Sequence, residues 1–247
     1  KHIFLGPLQD LTGYYDIHCH YVPGVDDGSG SMEESLELLS MEYNDGVRHI
    51  IVTPHYRRQM FETSRETVKE RFFMLKEAAG EIYPDLELLL GCEYHVNMEM
   101  TAQVASDPAY RMAGTEYVLT EFSEYREEDY IRERLRKLLQ KGYKPIIAHA
   151  ERITFLRKHT DFLSYLKDNG VKVQVNADSI LGLEGGELKR FCRKVMKEDM
   201  LDFVGSDAHD IKSRPPHMGK CAELIEKKMG PEYTRQILVK NPASIIE

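Results

Sequence analysis

Seven short apolar runs recur along the chain: "YYDIH", "RHIIVTPH", "LELLLGCE", "EYVLTEF", "KPIIAHA", "VKVQVNA" and "LDFVGSDAH". Runs of this length, rich in β-branched and aliphatic residues and bounded by polar ones, predict buried strands. Longer charged segments with apolar residues at helical spacing lie between most of them. Over 31–45, Met32, Leu36, Leu39 and Tyr43 share one face, with Glu33, Glu34, Glu37 and Glu42 mostly elsewhere, which predicts an amphipathic helix. Ser31 followed by Glu34 is a capping-box start. The same spacing predicts helices over 63–82, 128–141, 155–169, 186–198, 220–229 and 231–239. Gly46, Gly142 and Gly170 each close one of these helices and lead into the next strand, as a left-handed helix stop does.

Apolar strands separated by crossover helices imply a parallel sheet buried on both faces. Seven such units in 247 residues favour a distorted parallel β/α barrel over an open sheet. No repeat or Pro/Gly linker splits the chain, so one domain is expected over 1–247, with 1–14 as an N-terminal extension.

Composition narrows the function. No apolar stretch approaches the roughly 20 residues that cross a bilayer, and the first residues do not form a signal peptide. With 33 basic and 41 acidic residues, a net charge of −8, broad nucleic-acid binding is disfavoured, since it needs a basic footprint. Cys19, Cys92, Cys192 and Cys221 are scattered without a C-x-x-C, which predicts free thiols and a cytoplasmic location.

Candidate chemistry gathers where the apolar runs stop. The first ends in His18 and His20, with Asp26 and Asp27 in the loop beyond. The next four end in His55, in Glu93 with His95 beside it, in Glu121, and in His149 with Glu151 and Arg152. The last ends in Asp207, His209 and Asp210, while the sixth offers only Asn176 and Asp178. In a parallel barrel all strand C-termini open onto one rim, so these residues would converge there.

Each residue alone has an ordinary explanation. A lone His after a strand is usually a surface or capping group, and Asp-Asp-Gly-Ser is usually a turn. Glu93 or Glu121 alone could salt-bridge a neighbour. Their convergence on one rim is what predicts a multinuclear metal site. His2, His49, His159 and His217 lie away from strand ends and are expected to be surface or structural, and His95 can point either way.

Mixed His and carboxylate ligation suits Mn²⁺, Fe²⁺ or Zn²⁺ better than all-oxygen ions. Two or three such ions can clamp a phosphate and hold a hydroxide at neutral pH. Arginines then bind phosphoryl oxygens in a fork, and Arg152 and Arg214 are placed to do so. A cysteine-phosphatase loop would need C-x5-R, but Val25, Met98, Glu198 and Lys227 stand six residues after the four cysteines. Cys19 is therefore not expected to be a nucleophile.

The stretches "DIHCHYVPGVDDGS", "TPHY", "GCE", "LTEF", "HAER" and "GSDAH…RPP", in this order, resemble the polymerase and histidinol phosphatase (PHP) superfamily. Within it the chain is similar to the manganese-dependent bacterial protein-tyrosine phosphatases of capsule and exopolysaccharide loci, the CpsB/CapC/YwqE group. The resemblance spans nearly the whole chain from Tyr15 onward; 14 residues precede "YDIHCH", where many relatives begin almost at the motif.

The resemblance implies a trinuclear centre, with Mn²⁺ first and Fe²⁺, Zn²⁺ or Mg²⁺ as alternatives. His18, His20, Glu93 and Asp207 would hold one ion. Glu93 would bridge to a second shared with Glu121 and His149, and Asp27, His55 and His209 would hold the third. Arg152 and Arg214 match the phosphate-binding arginines. The implied partner is a tyrosine-phosphorylated bacterial kinase that governs polysaccharide synthesis. A small-molecule phosphomonoesterase of the histidinol-phosphatase kind stays open as an alternative, as does a non-catalytic, metal-stabilised scaffold. An amidohydrolase is disfavoured, because Glu121 stands where a bridging lysine would follow the fourth strand.

Overall fold

The computed structural model describes residues 13–247; the expected extension therefore lies outside the described residues, except that Tyr14 already opens the first strand. Among the described residues nine strands are formed: β1 (Tyr14–Cys19), β2 (Val47–Val52), β3 (His55–Tyr56), β4 (Glu87–Leu90), β5 (Glu93–His95), β6 (Tyr117–Glu121), β7 (Lys144–Ile147), β8 (Lys172–Asn176) and β9 (Phe203–Gly205). They make two parallel sheets, ordered β1-β2-β4 and β3-β5-β6-β7-β8-β9.

The division reflects two local breaks. Pro54, which has no N–H for a ladder, separates β2 from β3, and Gly91–Cys92 separates β4 from β5. The chain keeps its course across both, since Gly91 N donates to Val52 O at 2.7 Å and Glu93 N to Pro54 O at 3.3 Å. Seven strand paths result, as the apolar runs predict. The last path meets the first through a bridge between Cys19 and Ala208. Asp207 N donates to His18 O at 2.7 Å, and His20 N to Ala208 O at 3.0 Å. This closing seam carries four of the predicted site residues.

Two apolar clusters hold the frame. The larger packs strand faces against helices, drawing on Leu38 and Leu39 of α1 (Met32–Asn44), Phe72 and Leu75 of α2 (Arg65–Ile82), and Leu135 and Leu138 beyond β6. The smaller joins Tyr15, Ile17, Ile51, Tyr117, Leu119, Ile146 and Phe203 from successive strands. Alternate strand residues share a face, so Tyr117 and Leu119 continue upward into Glu121, and Phe203 toward Asp207. Burying each such aliphatic side chain contributes about 1.5–3 kcal/mol.

Helix positions follow the predicted periodicity, with informative departures. Ser31 caps α1 by accepting from Glu34 N. The buried face of α1, however, is Ser35, Leu38, Leu39 and Glu42, rotated from the predicted one. Glu42 faces inward because Tyr21 donates its hydroxyl to it at 2.8 Å. After β5 come two pieces not predicted, α3 (Met100–Ser106) and, after α4 (Glu128–Gln140), the short α7 (Ala177–Leu181). The helix expected over 155–169 is two, α5 (Thr154–Lys158) and α6 (Thr160–Asp168), parted by the non-helical backbone of His159. Next are α8 (Gly186–Lys197), α9 (Met218–Met229) and α10 (Pro231–Arg235). The stretch expected to be helical to 239 turns π-helical at Gln236–Lys240.

Candidate metal centre

His18 and His20 alternate along the end of β1, so both rings face the same way, with centroids 5.5 Å apart. Glu93 Oε2 lies 3.2 Å from His18 Nε2 and 3.3 Å from His20 Nε2. Asp207 Oδ1 lies 3.6 and 3.4 Å from the same two nitrogens. Ligand bonds of about 2.0–2.2 Å put neighbouring donor atoms roughly 3–3.6 Å apart, so these four residues are spaced to share a cation.

Two further groups adjoin the first. His20, Asp27, His55 and His209 offer donor atoms within 4.8 Å of one another, and so do His55, Glu93 and Glu121. Asp27 Oδ1 stands 3.5 Å from His209 Nε2 and 3.6 Å from His55 Nε2. On its other side, His55 Nδ1 lies 3.0 Å from Glu93 Oε2 and 3.8 Å from Glu121 Oε2. His55 thus presents one nitrogen to each group. His149, expected to share the second ion with Glu93 and Glu121, meets Glu93 Oε1 through Nε2 at 2.8 Å, although it is not a member of the three groups.

The rings are fixed from behind. His18 Nδ1 lies 3.1 Å from Gln174 Oε1, His20 Nδ1 2.8 Å from Asp26 Oδ2, and His209 Nδ1 2.9 Å from the Asp207 carbonyl. Each contact leaves Nε2 directed at the centre, the arrangement that orients ligating imidazoles. Asp26 Oδ2 also accepts from His55 N at 2.8 Å, and Gln174 Oε1 from His149 N at 2.7 Å. Gln174 was missed by reasoning on ligand types alone; its signal is a lone amide inside the apolar run "VKVQVNA".

Backbone geometry aims two of the residues. His149 (φ 32°) and Asp207 (φ 52°) are left-handed directly after their strands, a conformation costing roughly 1–2 kcal/mol for residues with a Cβ and often found at functional sites. Gly205, two residues before Asp207, passes so close to His18 that a Cβ there would come within 2.5 Å of the His18 Cβ. Only glycine lets β9 approach β1 at this seam.

Electrostatics follow from the crowding. Burial works against the charge on Asp207, but His18, His20, Arg152 and Arg214 prevail and hold it well below the usual carboxylate range. Glu93 is likewise held low against burial, by His18, His55 and His149. Burial, reinforced by the charge of Glu93, raises Glu121 to about 7. Burial lowers His55 to about 4.

Asp207 links these groups to the predicted arginines. Its Oδ2 accepts from Arg152 Nη1 at 2.7 Å, Arg214 Nη2 at 2.9 Å and Asn176 Nδ2 at 2.8 Å. Arg152 also donates to Glu184. Arg152, Arg214 and Asp207 line one cavity of about 470 Å³. A second, of about 510 Å³, is lined by Arg152, Glu121, His149 and Arg57. Arg57 is a further cation that sequence reasoning passed over, because it follows a strand end by two residues.

His49, His95, His159 and His217 are not members of the three donor groups, and His95, which could point either way, turns to a serine. His95 bonds Ser123 Oγ at 3.0 Å, and His49 pairs with Glu87 at 2.8 Å. His159 stacks on Phe155, His217 bonds Asp178, and His2 lies outside the described residues. Glu151 is buried beneath the rim and accepts from Asn176 N. Cys19 is fully buried, and burial together with Asp16 raises its thiol well above the ordinary value, so it is no nucleophile.

The donor set fits a cation. Among the described residues, seven buried atoms at the rim make no hydrogen bond: His18 Nε2, His20 Nε2, His55 Nδ1, Glu93 Oε2, Glu121 Oε2, His149 Nδ1 and His209 Nε2. Each such orphan costs about 1–3 kcal/mol. Cations among them would satisfy imidazole lone pairs and carboxylates together.

Comparison with known proteins agrees with this geometry. The family described as capsular polysaccharide synthesis, CpsB/CapC, matches residues 14–247. The tyrosine-protein phosphatase CpsB of Streptococcus pneumoniae is 34% identical over 94% of this chain and 97% of that protein. The tyrosine-protein phosphatase YwqE of Bacillus subtilis is 31% identical over 88% of this chain and 85% of its own. A crystal structure from work on those two metal-dependent tyrosine phosphatases superposes with a TM-score of 0.84 at 30% identity, covering 92% of this chain and 94% of that one. The phosphotriesterase homology protein of Escherichia coli, at TM-score 0.62 and 12% identity over 96% of this chain and all of its own, shares the fold alone. The chain belongs to the CpsB/CapC family of capsular polysaccharide synthesis proteins.

Proposed function

We propose that this chain is a metal-dependent phosphatase that hydrolyses phosphotyrosine, acting as one domain in the cytoplasm on a tyrosine kinase of capsule or exopolysaccharide synthesis. The observation that carries the reading is the rim of seven buried, unbonded donor atoms beside the paired arginines of Asp207. The substrate is supported by the relatives named tyrosine-protein phosphatases, and the process by the family's description. No helix among the described residues is long and apolar enough to cross a membrane.

His18, His20, Glu93 and Asp207 would hold one ion, and Asp27, His55 and His209 another. Glu93 and Glu121, with His149 or His55, would hold a third. We assign Mn²⁺ to the sites first on the resemblance to the manganese-dependent phosphatases; imidazole-rich mixed sites suit Fe²⁺ or Zn²⁺ as well, and Mg²⁺ less. When bound, such ions clamp phosphoryl oxygens and acidify the attacking water.

The chain's own groups do the rest. Arg152 and Arg214 offer planar N–H forks to the phosphoryl oxygens, and Asp207 Oδ2 fixes where both forks point. Gln174 and Asp26 keep the imidazoles in the tautomer that leaves the inward nitrogen free. The tyrosine phenol, with a pKa near 10, is a moderately good leaving group.

The test is turnover by the Mn²⁺-loaded protein of a phosphotyrosine peptide, p-nitrophenyl phosphate and histidinol phosphate. Preference for the peptide is expected. Preference for histidinol phosphate would move the chain to small-molecule phosphomonoesters, and a folded, metal-loaded protein with no turnover would make it a scaffold.

A further inference from the structure

The cavity shared by Arg152, Arg214 and Asp207 has one more wall, formed by Asp178 of α7 and His217, the residue before α9. His217 Nδ1 lies 2.8 Å from Asp178 Oδ1, and the imidazole makes no other hydrogen bond among the described residues. A carboxylate on Nδ1 fixes the tautomer and leaves Nε2 as the nitrogen available to whatever fills the cavity. Neither residue is a member of the three donor groups, and the phosphate-binding and ligand roles do not use them.

Position gives the dyad a task. Arg152 lines two cavities. Glu121 and His149 line one, and His217 lines the other. In-line displacement at phosphorus puts the leaving oxygen opposite the attacking one. A phosphoryl group held by Arg152 and Arg214, and attacked from the side of Glu121 and His149, expels its leaving group toward His217.

We propose that His217, oriented by Asp178, is the general acid that protonates the leaving tyrosine oxygen. The inference rests on the phosphotyrosine reading above. In the step, a water oxygen forms the new P–O bond and gives up a proton to solvent. The bond from phosphorus to the tyrosine oxygen breaks, its electron pair stays on that oxygen, and the oxygen takes the proton from Nε2. The neutral imidazole keeps its Nδ1–H on Asp178 and is reprotonated by solvent. The products are tyrosine and inorganic phosphate.

A purely structural pin between α7 and α9 would predict something different. General-acid assistance matters for a basic leaving group and little for a weakly basic one. Phenyl phosphate carries tyrosine's leaving group, while p-nitrophenyl phosphate is nearly the same size with a far less basic one. Metal-loaded parent, His217→Gln and Asp178→Asn proteins are compared on both, with the phosphotyrosine peptide as a third substrate. Gln at 217 can still donate to Asp178, so the pin is retained.

His217→Gln should lose about 100-fold in kcat on phenyl phosphate and less than about 3-fold on p-nitrophenyl phosphate. Asp178→Asn should show the same split at smaller size. Equal losses on both substrates, or none on either, overturn the assignment. A parent protein that turns over phenyl phosphate but not the peptide overturns the phosphotyrosine reading instead, and the split between the two aryl phosphates still decides the role of His217.

Discussion

Arg152 Nη1 donates to Asp207 Oδ2 at 2.7 Å, while the other oxygen of that carboxylate faces His18 and His20. One side chain therefore sets both the donor cluster and the phosphate-binding fork. Arg152→Ala should lower kcat/KM on a phosphotyrosine peptide by about 10²–10³-fold, as removal of one preorganised transition-state donor does. Arg152→Lys should recover only part, because an ammonium has no planar fork. Asp207 keeps Arg214 and Asn176 as partners, so the variant should stay folded with a modest fall in melting temperature. A mutant of unchanged kcat/KM would remove Arg152 from phosphate binding.

Metal uptake should depend on Glu121. Burial, with the charge of Glu93, raises this carboxyl to about 7, so below that pH it carries a proton that a ligand must lose. Burial holds His55 at about 4, so His55 stays neutral and ready through the same range. Affinity for Mn²⁺ at the group containing Glu121 should fall about tenfold per pH unit below 7. Calorimetric titration in buffers of different ionisation enthalpy should register the released proton, and Glu121→Gln should abolish it. An affinity flat between about pH 6 and pH 8 would contradict this.

Beneath the rim, Glu42 and Asp16 are both fully buried. Asp16 accepts from His18 N at 3.1 Å and from Ser206 N at 3.0 Å, so it is the better placed to carry charge. Burial and the Asp16 charge raise Glu42 well above its ordinary value of 4.5. A raised folded-state pKa contributes stability in full below that ordinary value and loses it as pH rises toward the folded one. Glu42→Gln keeps an oxygen for the Tyr21 hydroxyl and escapes this loss. Its stability relative to the parent should therefore grow with pH, by up to about 1.4 kcal/mol per unit. Paired denaturant melts check this, and a pH-independent difference would refute it.

Cys19 is the middle residue of the opening "HCH", yet it takes no part in the chemistry. Cys19→Ser should leave turnover nearly unchanged and cost about 1–3 kcal/mol of stability, through a hydroxyl poorly accommodated in the core. A large fall in kcat with the melting temperature preserved would return the thiol to the mechanism.

The strands and the rim were legible in the sequence because both rest on short-range pattern. An apolar run that stops at His or a carboxylate marks a strand end on the open face, and His18, His55, Glu121 and Asp207 all conform. What stayed hidden depends on neighbours distant in sequence. Glu42 looked solvated because its partner Tyr21 comes from another element. Gln174 lacked the character of a ligand, and Asp26, a carboxylate like Asp27, gave no sign that its work is to orient His20 from behind. His55 was assigned to one group because a sequence does not reveal that each ring nitrogen faces a different one. The short α7 gave no periodicity to read, and with it the contact of Asp178 to His217 went unnoticed.

The central claim is that the rim residues hold the ions on which phosphotyrosine hydrolysis depends. The most direct measurement adds Mn²⁺ in steps to chelator-stripped, folded protein while bound metal per chain and phosphate release from a phosphotyrosine peptide are recorded together. The account predicts no turnover without metal, full turnover once two or three ions are bound per chain, and neither binding nor turnover of that order in the double variant His18→Ala, Asp207→Ala. Full turnover by the stripped protein, or a metal-loaded protein that leaves the peptide intact, would contradict it.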